Sequence, residues 1–198
     1  MMPDIWFKPL IWMDYRLAVL FTVIAPVVLL IWAAIRKEEA MTRLLIIYWR
    51  VASLLMITVY LMIPSWTIGY FTGFAARILM PISLWFWIDI NDEIDDHNFS
   101  PLKLMLTSWR WAVTVYCTLG TLAFIPFLPC GFAAAPRENP MCRAWLEPTF
   151  LYKSWFHANS TPGFLGFLAG IGLTAYLVYF IYFAVVRLGK QGRSAMEK

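Results

Sequence analysis

The chain has 198 residues, 61% of them hydrophobic and 14% charged, with a net charge of +4. Water-soluble domains carry about 25% charged residues, so a soluble globular fold is excluded; 18% aromatics with 11 Trp fit the indole belts of membrane interfaces. The surplus Lys and Arg stand in short segments between apolar runs, which excludes a nucleic-acid patch.

Met1–Arg16 has no positive start followed by an apolar run, so it does not read as a secretory signal peptide. Within it, Ile5–Trp12 is apolar and aromatic but broken by Pro9 and bracketed by Asp4 and Asp14. It is too short to span, and residues 1–16 are expected to lie in the membrane interface, with a disordered tail as the alternative. Five later stretches have the roughly 20 apolar residues a crossing helix needs: Leu17–Ile35, Leu44–Ile63, Trp66–Ile88, Leu104–Leu128 and Gly163–Val186. Inside lipid each backbone N–H and C=O must be satisfied within the segment, and none of the five alternates with period two as a barrel strand does. The expected fold is an all-α integral membrane protein, a bundle of about five transmembrane helices over residues 17–188, followed by a basic tail, 189–198.

Short loops rich in Lys and Arg face the cytoplasm. The first loop holds Arg36, Lys37 and Arg43; Arg187, Lys190, Arg193 and Lys198 close the chain; the turn at Pro64 and Ser65 carries no charge. Five spans put the first loop and the tail on one side, so the C-terminus and the third loop, Asp89–Lys103, are expected in the cytoplasm. The N-terminus and the Pro129–Pro162 loop are then outside, although that loop contains Arg137, Arg143 and Lys153.

Arg50, Arg77 and Arg110 fall inside spans, where each central Arg costs about 2.5–3.5 kcal/mol on an insertion scale. Arg50 and Arg110 are roughly 9 Å from the ends of their helices, close enough to snorkel. Arg77, roughly 17 Å from Ile88, is expected to face the bundle and pair with a carboxylate, a backbone carbonyl or an anionic lipid headgroup. Pro81 cannot donate to residue 77, which offers one such carbonyl. After the third span, Asp89, Asp92, Glu93 and Asp96 recur at steps of three and four, one face of a helix. The cluster reads as a solvated acidic loop, as a scaffold pairing with Arg50 and Arg110, or as a divalent-cation site. Glu93 at the fifth position and Ile94 in place of the turn glycine depart from an EF-hand, and no metal site is assigned.

Cys117 lies in the fourth span and reads as a small buried apolar residue. Cys130 and Cys142 lie in the outer loop, where an oxidising compartment favours a disulfide, contributing about 2–3 kcal/mol against the unfolded chain; two free thiols are the alternative. The spacing is not C-x-x-C, so no redox site is suggested. His157 reads as an interfacial side chain.

Trp49-Arg50-Val51-Ala52 and Trp109-Arg110-Trp111-Ala112 begin two spans, and the returning spans carry Gly69 with Gly73 and Gly166 with Gly170. Glycine at that spacing lets helices approach closely. The pattern fits two duplicated helical hairpins, or convergent interface chemistry.

The runs Trp49–Ser53, Ala76–Leu79, Ser83–Trp87, Thr107–Ala112 and Leu188–Arg193 resemble an uncharacterised family of cyanobacterial membrane proteins, domain of unknown function 3177. The resemblance implies a photosynthetic setting, in the thylakoid or plasma membrane, and supplies no catalytic residues. The sequence offers no Gly-x-Ser-x-Gly elbow, His cluster or C-x-x-C. It is therefore read as a non-enzymatic accessory or assembly factor of a photosynthetic or respiratory membrane complex. Its expected partners are the bilayer and other membrane-protein subunits. The alternative is a small transporter or an anionic-lipid-binding protein, the intramembrane arginines holding the headgroup. No cofactor is predicted, and two His in all limit ligation of haem or chlorophyll by imidazole.

Overall fold

The computed structural model describes residues 5–134 and 136–195, so residues 1–4 of the N-terminal segment and 196–198 of the tail lie outside the described residues. Among the described residues there are seven helical elements: α1 (Lys8–Arg36), α2 (Glu39–Met62), α3 (Ile68–Trp85), α4 (Ile88–Asp96), α5 (Pro101–Phe132), α6 (Pro140–Phe156) and α7 (Pro162–Lys190). No strand occurs among the described residues. α1, α2, α3, α5 and α7 are long and apolar enough to cross a membrane, so the protein is an all-α, multi-pass membrane protein.

The starts of three helices are written in the sequence. Ser100, Asn139 and Thr161 accept from the backbone N–H of Lys103, Met141 and Phe164, each with Pro at the next position. A capping oxygen satisfies one orphan donor, and Pro at the first helical position lacks the N–H that would be orphaned anyway. α1 ends at Lys37 in the left-handed region (φ 59°), whose N–H and that of Glu38 return to the Ala34 and Ala33 carbonyls. That is a Schellman closure.

The first span differs from expectation. Pro9 does not break the N-terminal segment, because it sits in the first turn of α1, where no intrahelical N–H is required. Helix runs from Lys8 into the first span without interruption and reaches about 43 Å. It has one irregularity. Over Val19–Ile24 the hydrogen bonds widen to i→i+5, with Ala25 N–H reaching the Leu20 carbonyl. The cause is Pro26, which has no N–H to give to Thr22 or, in the wider register, to Phe21. Both freed carbonyls are satisfied from neighbouring helices: Tyr48 Oη donates to Thr22 O at 3.1 Å, and Trp109 Nε1 donates to Phe21 O at 2.8 Å.

α2 and α3 form the central hairpin; α5 packs on α3, α1 on α2, and α7 along the other side of α2. One core lies toward the chain's C-terminal tail, around Leu44, Tyr48, Leu84, Ile94 and Leu106. A second lies at the opposite end, around Tyr70, Phe124 and Trp145. A third seats α7 through Ala169 and Leu173 against Leu54, Leu61 and Ala76. α4 is amphipathic: Ile90 and Ile94 are buried, while Asp92, Glu93, Asp95 and Asp96 are exposed. The expected outer loop contains a helix, α6, which buries Trp145 and Leu146.

Candidate functional site

Three polar constructions stand out, and each joins helices far apart in sequence. The first surrounds Arg77 in the middle of α3, only 8% exposed. Its Nη2 pairs with the Asp14 carboxylate of α1. Tyr116 of α5 donates to the Asp14 carbonyl and to Asp14 Oδ1, both at 3.0 Å. The guanidinium lies 5.5 Å from the Phe124 ring centre and 5.7 Å from that of Trp145, a distance at which ring quadrupoles attract a cation. Gly120 makes the approach possible: a Cβ there would collide with Arg77 Nη1.

The expectation that Arg77 faces the bundle is matched by this geometry, but the carbonyl near Pro81 is not its partner. The proline that frees carbonyls for side-chain donors is Pro26. Asp14, read from the sequence as a boundary of an interfacial stretch, supplies the carboxylate instead.

The second construction holds Arg110, 2% exposed. It donates to Asn91 Oδ1 of α4 and to the Leu84 carbonyl at 3.2 Å. Its guanidinium stacks 4.0 Å over the Trp85 ring, and Trp85 is fixed by a bond to Thr114 at 2.9 Å. The scaffold expected between Arg110, Arg50 and the acidic cluster is not formed. Asp92 and Glu93 point to the surface of α4 because Ile90 and Ile94 take the inner face. Asp89 receives the Ala195 N–H at 2.8 and 3.0 Å and the Ser194 hydroxyl at 3.1 Å, tying the tail to α4. Among the described residues no group of three or more His, Cys, Asp and Glu side chains is placed to hold a metal ion.

The third is a groove of about 410 Å³ between α2, α3 and α7. Arg50, exposed on the flank of α2, lines it and donates to Tyr179 Oη at 3.2 Å.

At the opposite end of the bundle, Cys130 and Cys142 are joined in a disulfide with Cα atoms 5.6 Å apart. Cys117 is buried and free. The disulfide fastens α6 over the Arg77 cluster, where Trp145 meets the Phe124 ring edge-on at 4.8 Å. Tyr15 donates to the Trp145 carbonyl at 3.1 Å and Tyr70 to the Cys142 carbonyl at 2.9 Å. His157 is bound to Tyr60, Nε2 to Oη, at 2.6 Å. Burial, and then a hydrogen bond with Tyr60, push the neighbouring Tyr152 phenol up to about 12.

Three of the four glycines sit where a side chain would crowd a neighbour, and Gly170 is in ordinary contact. A Cβ at Gly69 would meet Met62 Cγ at 2.7 Å, one at Gly73 the Thr58 methyl at 3.2 Å, and one at Gly166 Pro64 Cγ at 2.7 Å. Gly170 faces the Trp66 ring at 3.7 Å.

With this geometry in place, the chain can be compared with known proteins. Residues 8–196 match the family model DUF3177, described as a protein of unknown function. The chain belongs to this family. No curated protein and no solved structure matches it.

In this DUF3177 chain, sequence reasoning missed Asp14, Tyr116, Asn91 and Gly120. Asp14 had a signal. Ile11, Asp14, Ala18, Thr22, Pro26, Leu29 and Ala33 recur at steps of three and four, which makes residues 11–33 one continuous helical stripe. Tyr116 and Gly120 share a face of the fourth span, four residues apart, but nothing in the sequence alone aims that face at Arg77. Asn91 was hidden among more conspicuous carboxylates.

Proposed function

We propose that the protein is a non-enzymatic accessory or assembly factor of a larger membrane complex, in a photosynthetic or respiratory membrane. The supporting observation is how the chain uses its costly intramembrane charges. Asp14, Arg77 and Tyr116 tie α1, α3 and α5 together, and Arg110 ties α5 to α3 and α4. Buried, paired charges of this kind fix the relative register of helices. A bundle held in one geometry suits a part that positions neighbouring subunits.

The photosynthetic setting, thylakoid or plasma membrane, rests on the family resemblance. The cytoplasmic side of the tail rests on the distribution of Lys and Arg. The test is purification of the tagged full chain from its native membranes in a mild detergent, with identification of what travels with it. Photosystem or respiratory subunits in constant ratio are expected. A homogeneous chain, alone or as a homodimer, would overturn the proposal.

A further inference from the structure

The groove between α2, α3 and α7 goes beyond that reading, and it is independent of any partner complex. Its walls come from three helical stripes. On α2, Arg43 and Arg50 are two turns apart and so stand on one face, about 10 Å from each other along the axis. On α3, Ile82 provides an apolar wall, extended by Phe86 just past the end of the helix. On α7, Tyr179 and Phe183 continue that wall, and Arg187 stands beyond them. No carboxylate lines the groove among the described residues. The nearby Asp89 is occupied by the backbone N–H of Ala195.

Arg50 makes this arrangement unusual. It is the middle of a helix of 24 residues, it is exposed on the flank of the bundle, and Tyr179 Oη is its hydrogen-bond partner. Arg77 and Arg110 at comparable positions are buried and held by two or more groups of the fold. A guanidinium on a membrane-facing flank is costly unless an anion or water meets it. Tyr179 Oη accepts from Arg50, so its own hydrogen is left to donate. Bidentate guanidinium geometry matches a phosphate, and the apolar walls match an acyl chain. Basic pockets between membrane helices on the cytoplasmic side recognise anionic headgroups.

The geometry points to a binding site for an anionic diacyl phospholipid. Its phosphate lies between Arg43 and Arg50, with Tyr179 as an additional donor, and one acyl chain runs along Ile82 and Phe183. A soluble anion would engage the arginines and leave those walls unused.

The full-length protein, purified in mild detergent and delipidated, is titrated with dioleoyl phosphatidylglycerol or dioleoyl phosphatidylcholine, and bound lipid is read by native mass spectrometry. The phosphatidylglycerol is expected to bind at least about tenfold more tightly, and millimolar inorganic phosphate is not expected to displace it. Each of Arg43→Gln and Arg50→Gln should weaken binding about fivefold, from about 1 kcal/mol per basic residue near an anionic surface. Ile82→Trp, which fills the groove and leaves both arginines in place, should also weaken it; this variant keeps the test decisive if the Gln variants do not fold. Equal retention of the two lipids, full displacement by phosphate, or unchanged binding in Ile82→Trp would each overturn the assignment.

Discussion

A carboxylate and a guanidinium buried together are worth little as a pair and a great deal as an unbroken one, because removing one partner leaves the other charged and unsolvated. Asp14 and Arg77 are in this position, at 17% and 10% side-chain exposure. Asp14→Asn is therefore expected to destabilise the bundle by about 3–5 kcal/mol, and Arg77→Leu similarly. The double variant Asp14→Asn/Arg77→Leu should lose clearly less than the sum. Arg77→Lys should fall between wild type and Arg77→Leu, since an ammonium keeps the charge but not the planar face set between Phe124 and Trp145. Unfolding free energies in detergent across the four-member cycle check this, and additive single effects would show that the pair is not coupled. Half of this site was legible in the sequence. The depth of Arg77 and its place beyond Gly69 and Gly73 demanded an inward side chain. Its partner was hidden by Pro9, which looks like a breaker until it is seen to occupy a first turn.

At the scale of elements, length and hydropathy were enough to find the spans, because lipid leaves helix as the only state that satisfies the backbone. They were not enough for α6, which lies inside the expected Pro129–Pro162 loop. Pro148 lies inside that helix, and the buried Trp145 and disulfide hold it there by tertiary contacts no local pattern encodes. Nor could hydropathy show that Pro26 loosens α1. The loosened turn makes a specific prediction. Trp109→Phe removes the donor to the Phe21 carbonyl and should cost about 1–3 kcal/mol, the range for an orphaned buried acceptor. In a Pro26→Ala background the helix recovers its own donor, so the same substitution should cost measurably less. Thermal unfolding of the four proteins decides it. An equal cost in both backgrounds would mean that Trp109 acts by packing alone.

For the whole molecule, the two ends of the bundle differ in their number of Lys and Arg. The end bearing α4 and the tail gathers Arg36, Lys37, Arg43, Lys103, Arg187, Lys190 and Arg193, joined across elements by the Glu38–His97 contact at 2.6 Å and the Ile88–Arg193 backbone bond at 3.2 Å. The α6 end has Lys8, Arg137, Arg143 and Lys153, with Lys8 held by Glu147 at 2.8 Å. Short segments richer in Lys and Arg stay in the cytoplasm; in the orientation proposed on that basis, α6 and its disulfide would lie on the opposite, oxidising side. Cys130 and Cys142 enclose a loop of a dozen residues, so replacing both with Ser should cost about 3 kcal/mol in the loop-entropy model. The topology itself is tested in a background with all three cysteines replaced. A single Cys at Asn139, exposed beside α6, should react with an impermeant maleimide in intact cells. A single Cys at Gly192, exposed in the tail, should react only after the membrane is opened. The reverse pattern would invert the orientation. It would also place the disulfide in a reducing compartment, so the same cells give a second readout: in the native chain, Cys130 and Cys142 should resist alkylation until a reductant is added. Labelling and oxidation follow from one assignment of sides, and a result in which they disagree would show that the basic residues do not set the orientation of this bundle.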